Sequence, residues 1–181
     1  MTAALVGMLV DEKKVDWDAP VTTYLPWFQL KDPAGDARAD GARPARRTAP
    51  GSANADYLWY GQRASTDEIL RRVRLIDPAY PVRSGFIYQN IMYAAAGAVI
   101  EAASGKSWAD TIRARIFEPL GMRDTHRHRR DARRGSPTSP RRTRSSTAAV
   151  RVIENVSVDP VAPAEPSGRT STTWRSGCSS C

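Results

Sequence analysis

Gly85-Phe86-Ile87-Tyr88-Gln89-Asn90-Ile91-Met92-Tyr93, an Ala-rich run to Ala103, Ser104-Gly105-Lys106-Ser107, and then Pro119-Leu120-Gly121-Met122-Arg123-Asp124-Thr125 form the ordered string on which the reading of this chain turns. Between Ile91 and Ala103 the only charged residue is Glu101. Alanine is the strongest helix former, and Ser104-Gly105 provides a stop, so the pattern predicts a helix over Asn90–Ala103. Ser107 suits an N-cap. Trp108, Ile112, Ile116 and Phe117 fall on one face after it, and Pro119 ends the run, which predicts a second helix over Ser107–Phe117. Leu120-Gly121-Met122 reads as a tight exit. Phe86–Asn90 reads as a short extended or turn segment leading into the first of these helices.

Working outward, Ser65 or Thr66 is a good N-cap and Asp67 and Glu68 suit a first turn. Ile69, Leu70 and Val73 then mark the buried face of a helix over Thr66–Leu75, ended before Pro78. Thr2–Glu12 reads as the last turns of an apolar helix, with Leu5, Met8 and Leu9 at helical spacing. Val15–Gln29 contains Pro20 and Pro26, so it reads as a turn-rich connection whose apolar anchors are Trp17, Val21, Tyr24, Leu25 and Trp27. No internal repeat is visible.

Two stretches resemble the serine β-lactamase and penicillin-binding-protein superfamily, on its class C β-lactamase, carboxypeptidase and esterase side. One is Gly7 to Val21 followed by Tyr24-Leu25-Pro26, similar to the end of the nucleophile helix and the loop behind it. The other is the string from Gly85 to Thr125, in which Tyr88-Gln89-Asn90 matches the Y-x-N motif. The resemblance covers a little over half the chain. It implies an α+β β-lactamase/transpeptidase-like fold, of which this chain holds mainly the helical part with Arg-rich segments outside any core. It also implies acyl transfer. A Ser hydroxyl is a poor nucleophile at neutral pH. The family places Ser and Lys one helical turn apart, as S-x-x-K, so that both project from one face. A Tyr beside them takes the Ser proton or returns it to the leaving group, and an Asn amide helps hold the Lys and the substrate carbonyl. By this resemblance Tyr88 has the first role and Asn90 the second. The plainer reading makes Tyr88 a half-buried core aromatic beside Phe86 and Tyr93.

The departures from the family pattern matter as much. S-x-x-K is expected immediately before the Thr2–Glu12 helix, and Ser65, Ser84, Ser104 and Ser107 all lack a Lys three residues later. The third motif, a K-T-G-like strand, is absent. Lys13 stands where relatives usually have a helix-ending Gly, and a Lys in the left-handed region costs roughly 1 kcal/mol.

The formal charge of +8 is unevenly spread. Residues 126–181 hold eleven Arg against four acidic residues, and residues 34–55 hold four Arg against two Asp. The rest of the chain, with twelve basic and thirteen acidic residues, is nearly neutral. Ala34–Ala55 contains no Val, Ile, Leu, Met, Phe, Trp or Tyr, so it is expected to be disordered and to add nothing to a core. An Arg, Ala, Pro, Ser and Gly mixture is what a GC-rich gene yields when read out of frame. Asp40–Arg46, written in allowed codons and advanced by one nucleotide, reads Thr-Val-Arg-Asp-Leu-Leu. Arg46–Ser52, advanced by two, reads Pro-His-Arg-Thr-Gly-Leu. Both strings are typical of the family at this position. Ser136–Thr143 and Thr172–Ser179 can be recoded in the same way. The rival reading is a natural Arg-rich linker and tail that binds RNA or membrane surfaces.

These observations give a partial β-lactamase-related domain over residues 1–125, with 34–55 disordered or out of frame, and a disordered, mostly out-of-frame tail over 126–181. Only Val150–Val161 briefly recovers apolar alternation there. The expected function is that of a fragment of a β-lactamase-family serine hydrolase, acting on a β-lactam, a D-Ala-D-Ala peptide or a small ester and inactive as given. The alternatives are a non-enzymatic binding module of the same fold and a basic, partly disordered nucleic-acid binder. No cofactor and no metal site is expected: Cys178 and Cys181 form a lone C-x-x-C without a second ligand pair. The expected partner is a small-molecule or peptide substrate, with no nucleic acid, and the oligomeric state is open. No apolar run approaches the roughly 18 residues of a membrane span. Met1–Val10 lacks the basic leader of a signal peptide, so the chain as given reads as cytoplasmic although intact relatives are often exported.

Overall fold

A computed structural model describes residues 1–31, 55–77, 79, 87–122, 125, 143–145, 150–152 and 158–164. Its centre is a helix that is apolar on nearly every side. This helix, here α4 (Asn90–Ser104), buries Ile91, Met92, Ala94, Ala95, Ala96, Gly97, Val99 and Ile100. A helix with apolar residues on most sides must be covered on most sides, and the rest of the described chain covers all but Glu101 and Ala102 near its end at least in part. The cover comes from α1 (Thr2–Asp11), the single turn α2 (Val21–Tyr24), α3 (Thr66–Arg72), α5 (Trp108–Ile112) and a 3₁₀ turn at Asp159–Val161.

The helix ends follow from local chemistry. Ser65 Oγ accepts the Glu68 N–H at 3.2 Å, and Ser107 Oγ accepts the Asp110 N–H at 3.0 Å, so both expected N-caps are in use. Gly105 ends α4 with φ 68°, and its N–H reaches the Glu101 carbonyl at 2.9 Å. Lys13 ends α1 with φ 59°. Its N–H bonds the Val10 carbonyl at 2.8 Å, and the Lys14 N–H bonds that of Leu9 at 2.9 Å. These are the two bonds of a left-handed helix terminus, made here by a residue with a Cβ. Beside this terminus the exposed Glu12 carboxylate takes hydrogen bonds from Lys14 and, across to the end of the α5 segment, from Arg115. Those bonds, that of Lys14 first, hold its carboxyl below the usual range.

Two predicted helices change character before they finish. The Thr66–Leu75 pattern is α-helical to Arg72 and then tightens into a 3₁₀ turn at Val73–Leu75. The Ser107–Phe117 pattern begins as α5 and widens into a π turn at Arg113–Phe117, where the Glu118 N–H reaches back five residues to the Arg113 carbonyl at 2.9 Å. The widening lets both Ile116 and Phe117 enter the core. The connection over Val15–Gln29 contains one helical turn behind Pro20, and it buries Phe28 and, just beyond, Leu30 as well as Val21 and Leu25. Of the Ala34–Ala55 stretch, only Ala55 is described. It is buried and opens a 3₁₀ turn at Ala55–Leu58, so the expectation that this stretch leaves the core alone fails at its last residue.

Residues 126–149 lie mostly outside the described residues. Within them, β1 (Thr143–Ser145) pairs antiparallel with β2 (Val150–Val152), Thr143 opposite Val152 and Ser145 opposite Val150. Beyond this hairpin, in a stretch expected from composition to stay out of the core, Val161 and Ala162 are buried. Their seat is built from polar contacts as well. Thr2 Oγ1 donates to the Pro163 carbonyl at 2.5 Å and accepts from Trp108 Nε1 at 3.2 Å, while Thr66 Oγ1 donates to the Pro160 carbonyl at 3.0 Å. The difference has a simple cause: Val158, Val161 and Ala162 lie in the stretch between Arg151 and Arg169, which holds no Arg and keeps apolar residues. No helix of the described residues is long and apolar enough to cross a membrane.

Gly97 is the point where this segment meets α4. A Cβ there would lie 2.4 Å from Pro163 Cγ and 3.0 Å from its Cβ. Overpacking costs about 1–3 kcal/mol, in the upper part of that range against a proline ring that cannot swing aside, and the helix propensity of Ala returns about 1 kcal/mol. Gly97→Ala is expected to lower stability by about 1–2 kcal/mol in urea titration, and Pro163→Ala in the same chain to restore most of it. An unchanged or raised midpoint for Gly97→Ala would show that this segment is not seated on α4.

Candidate active site

The site stands at the N-terminal end of α4. Gln89 precedes the helix with φ −147° and ψ 127°. In extended backbone, successive side chains point to opposite sides. Gln89 accordingly turns inward and is buried, and Tyr88 turns outward with 62% of its surface exposed. Asn90, half-buried, opens the helix. Tyr88 Oη donates to Asn90 Oδ1 at 3.0 Å. The two residues that the sequence assigns to chemistry are therefore in direct contact. Tyr88 is not a core aromatic; of the residues offered as its core neighbours, Tyr93 is half-buried in α4 and Phe86 lies outside the described residues.

The hydrogen bonding continues inward. Asn90 Nδ2 donates to Asp56 Oδ2 at 2.8 Å, and the other carboxylate oxygen, Oδ1, accepts from Trp59 Nε1 at 2.8 Å. Asp56 sits in the 3₁₀ turn at Ala55–Leu58 that packs beside α4. Trp59 is buried, with Tyr60 edge-on to it at 5.6 Å between ring centres. The exposed phenol thus connects through an amide and a carboxylate to an indole in the core. Asp56 and Trp59 were not singled out from sequence. The available signal was local: a buried Trp needs an acceptor for its N–H, and an Asp three residues earlier is one 3₁₀ turn away.

The described serines that could be mistaken for a nucleophile are engaged elsewhere. Ser65 and Ser107 cap helices. Ser104 Oγ bonds the Lys106 carbonyl at 3.2 Å and Thr111 Oγ1 at 3.3 Å. Ser84 lies outside the described residues. The arrangement at the end of α4 can move a proton through a solvent-facing phenol and can offer an amide to a neighbouring group. Among the described residues no serine hydroxyl is hydrogen-bonded to Tyr88 or Asn90.

Comparison with known proteins gives the family and the fold. The family model described as Beta-lactamase matches residues 1–176. The chain is 30% identical over 139 residues to unguisins hydrolase ungD of Aspergillus violaceofuscus, an alignment covering 72% of this chain and 24% of that protein. Among solved structures, FmtA from Staphylococcus aureus superposes with a TM-score of 0.74 at 20% identity, over 99% of this chain and 47% of that one. The D-amino acid amidase of Ochrobactrum anthropi in complex with D-phenylalanine gives 0.69 at 23% identity, over 97% and 52%. The chain spans about a quarter of the length of the curated relative and about half of the two structures. The structural likeness establishes the β-lactamase/transpeptidase-like fold, with the described part of this chain corresponding to its helical portion.

Because the Tyr88 ring is exposed and its hydrogen bond faces solvent, Tyr88→Phe is expected to change unfolding free energy by no more than about 0.5 kcal/mol. A loss of several kcal/mol in chemical denaturation would return Tyr88 to a structural role.

Proposed function

The chain belongs to the Beta-lactamase family, and from that premise we propose that its Tyr88–Asn90 pair handles protons and positions groups in an acyl transfer by a serine hydrolase. The observation that carries the proposal is the contact itself: a solvent-facing phenol held 3.0 Å from an amide at the end of a buried helix. The reacting bond would be the carbonyl–nitrogen or carbonyl–oxygen bond of a β-lactam, a D-Ala-D-Ala peptide or a small ester. The names of the relatives, an unguisins hydrolase and a D-amino acid amidase among them, support hydrolysis as the class.

In this reading a Ser hydroxyl attacks the substrate carbonyl and its proton passes to the Tyr88 oxygen, the phenol having first lost its proton to a neighbouring base and, with it, the hydrogen bond to Asn90 Oδ1 that the neutral form makes. The same proton then goes to the departing nitrogen or oxygen as the carbonyl–leaving-group bond breaks. Water later releases the acyl group by the reverse exchange. Asn90 lies beside the phenol and would hold the Lys ammonium and the substrate carbonyl. The Ser and the Lys are the residues of an S-x-x-K pair, and these 181 residues contain no such pair. The acyl transfer is therefore proposed for the whole protein, with these residues contributing Tyr88 and Asn90.

The test has two parts. The 181 residues alone should form no covalent adduct with a labelled penicillin, as read by mass spectrometry; stoichiometric labelling of any serine in them would refute the assignment. In a protein that joins them to an S-x-x-K helix, Tyr88→Phe should fold normally and acylate roughly 10²–10⁴-fold more slowly, the usual loss of an acid–base group. Asn90→Ala should lose less, because positioning bonds go and proton transfer stays. Full activity with Phe at this position would overturn the role given to Tyr88.

A further inference from the structure

We infer that Asp56 is a positioning residue for this site: its carboxylate decides which end of the Asn90 amide faces Tyr88. The two ends of an amide are nearly equal in size and opposite in chemistry, one a double acceptor and the other a double donor. An ionised carboxylate can only accept. Asp56 Oδ2, 2.8 Å from the Asn90 side chain, therefore requires the amide nitrogen on its side, and the amide oxygen must then point to Tyr88. With an acceptor before it at 3.0 Å, Tyr88 is held as a donor. Were the amide reversed, its N–H₂ would meet Tyr88 and the phenol oxygen would become the acceptor.

Asp56 can impose this because it is itself fixed. Its second oxygen takes the N–H of Trp59 at 2.8 Å, and Trp59 is buried. A bond from a buried indole to a carboxylate is charge-assisted and hard to replace with water. The direction of each bond is thus set in sequence, from Trp59 to Asp56, from Asn90 to Asp56, and from Tyr88 to Asn90. Asp56 stands 34 residues before Asn90, outside the Tyr-x-Asn string. The catalytic meaning of this orientation rests on the proposed role of Tyr88 and Asn90, but the orientation does not.

NMR on the 181-residue chain tests it without any assay of activity. In the unmodified chain the Asn90 side-chain amide protons should exchange about tenfold more slowly than those of the exposed Gln62; equal rates would overturn the inference. A cycle of Asp56→Asn, Asn90→Ala and the double variant then separates positioning from charge. The carbon-13 resonance of Tyr88 Cζ responds to whether the phenol donates or accepts. At neutral pH it should move in Asp56→Asn when Asn90 is present, and most of that displacement should vanish in the Asn90→Ala background. An equal displacement in both backgrounds would mean that Asp56 acts through space by its charge, and no displacement in either would mean that it does not act on Tyr88. Both results refute the inference. Circular dichroism monitors folding, and Asp56→Ser takes the place of Asp56→Asn if that variant fails to fold. Since none of these signals reports acylation, a chain that passes them while the Tyr88→Phe enzyme stays active would show the positioning correct and the proposed chemistry wrong.

Discussion

Burial of the apolar surface of α4 is the constraint from which the rest of the described structure follows. Eight of its fifteen residues are buried, and only Glu101 and Ala102, near its end, are exposed, so most of its surface needs cover. Its Ala-rich composition lets neighbouring helices approach closely, so cover has to come from several directions at once. The chain meets this with elements far apart in sequence: α1 from the start, α3 and the 3₁₀ turn before it from the middle, α5 just after, and the Asp159–Val161 turn from near the end. Gly97 is the position where the approach is closest, because Pro163 occupies the volume in which any side chain would stand.

A fully packed helix is also a stable mount. The proposed functional groups sit at its first residue and just before it, so the precision of the candidate site depends on how well the N-terminal end of α4 is held. Packing alone fixes the backbone there, but it does not fix an Asn side chain that is half-exposed. That task falls to hydrogen bonds, and they start from the same core. Trp59 buries its ring among the residues that cover α4 and leaves its N–H directed at Asp56. Hydrophobic cover and polar orientation are thus supplied by one short turn. The outermost member, the Tyr88 phenol, faces solvent, as its proposed role requires.

What was legible in the sequence was local. The caps at Ser65 and Ser107, the left-handed ends at Lys13 and Gly105, and the extents of α1 and α4 each depend on residues within about one turn of one another. The family string from Gly85 to Thr125 located the Tyr88–Asn90 pair. What was not legible depends on partners distant in sequence. The π turn after Ile112 has the same apolar spacing as an α-helix, so Ile116 and Phe117 read correctly as core-facing while the widened hydrogen bonding that seats them did not show. Phe28 and Leu30 read as residues of a loop rich in proline. Val161 and Ala162 lie at the end of a brief apolar alternation in a tail otherwise read as disordered, and their burial depends on Thr2, Thr66 and Gly97 being where they are.

Asp56 is the clearest case of this limit. Nothing within a few residues of it suggests chemistry, and a lone Asp beside aromatic residues is an ordinary surface feature. Its significance appears once the fold brings it to hydrogen-bond distance of an amide whose orientation would otherwise be undecided. A carboxylate there does what neither a hydroxyl nor another amide could do with the same certainty, because both of those can donate as well as accept. The choice of an acceptor-only group turns a symmetric-looking contact into a directed one. The motif residues Tyr88 and Asn90 therefore carry the recognisable pattern, while the polarity of their contact is determined by a residue outside it.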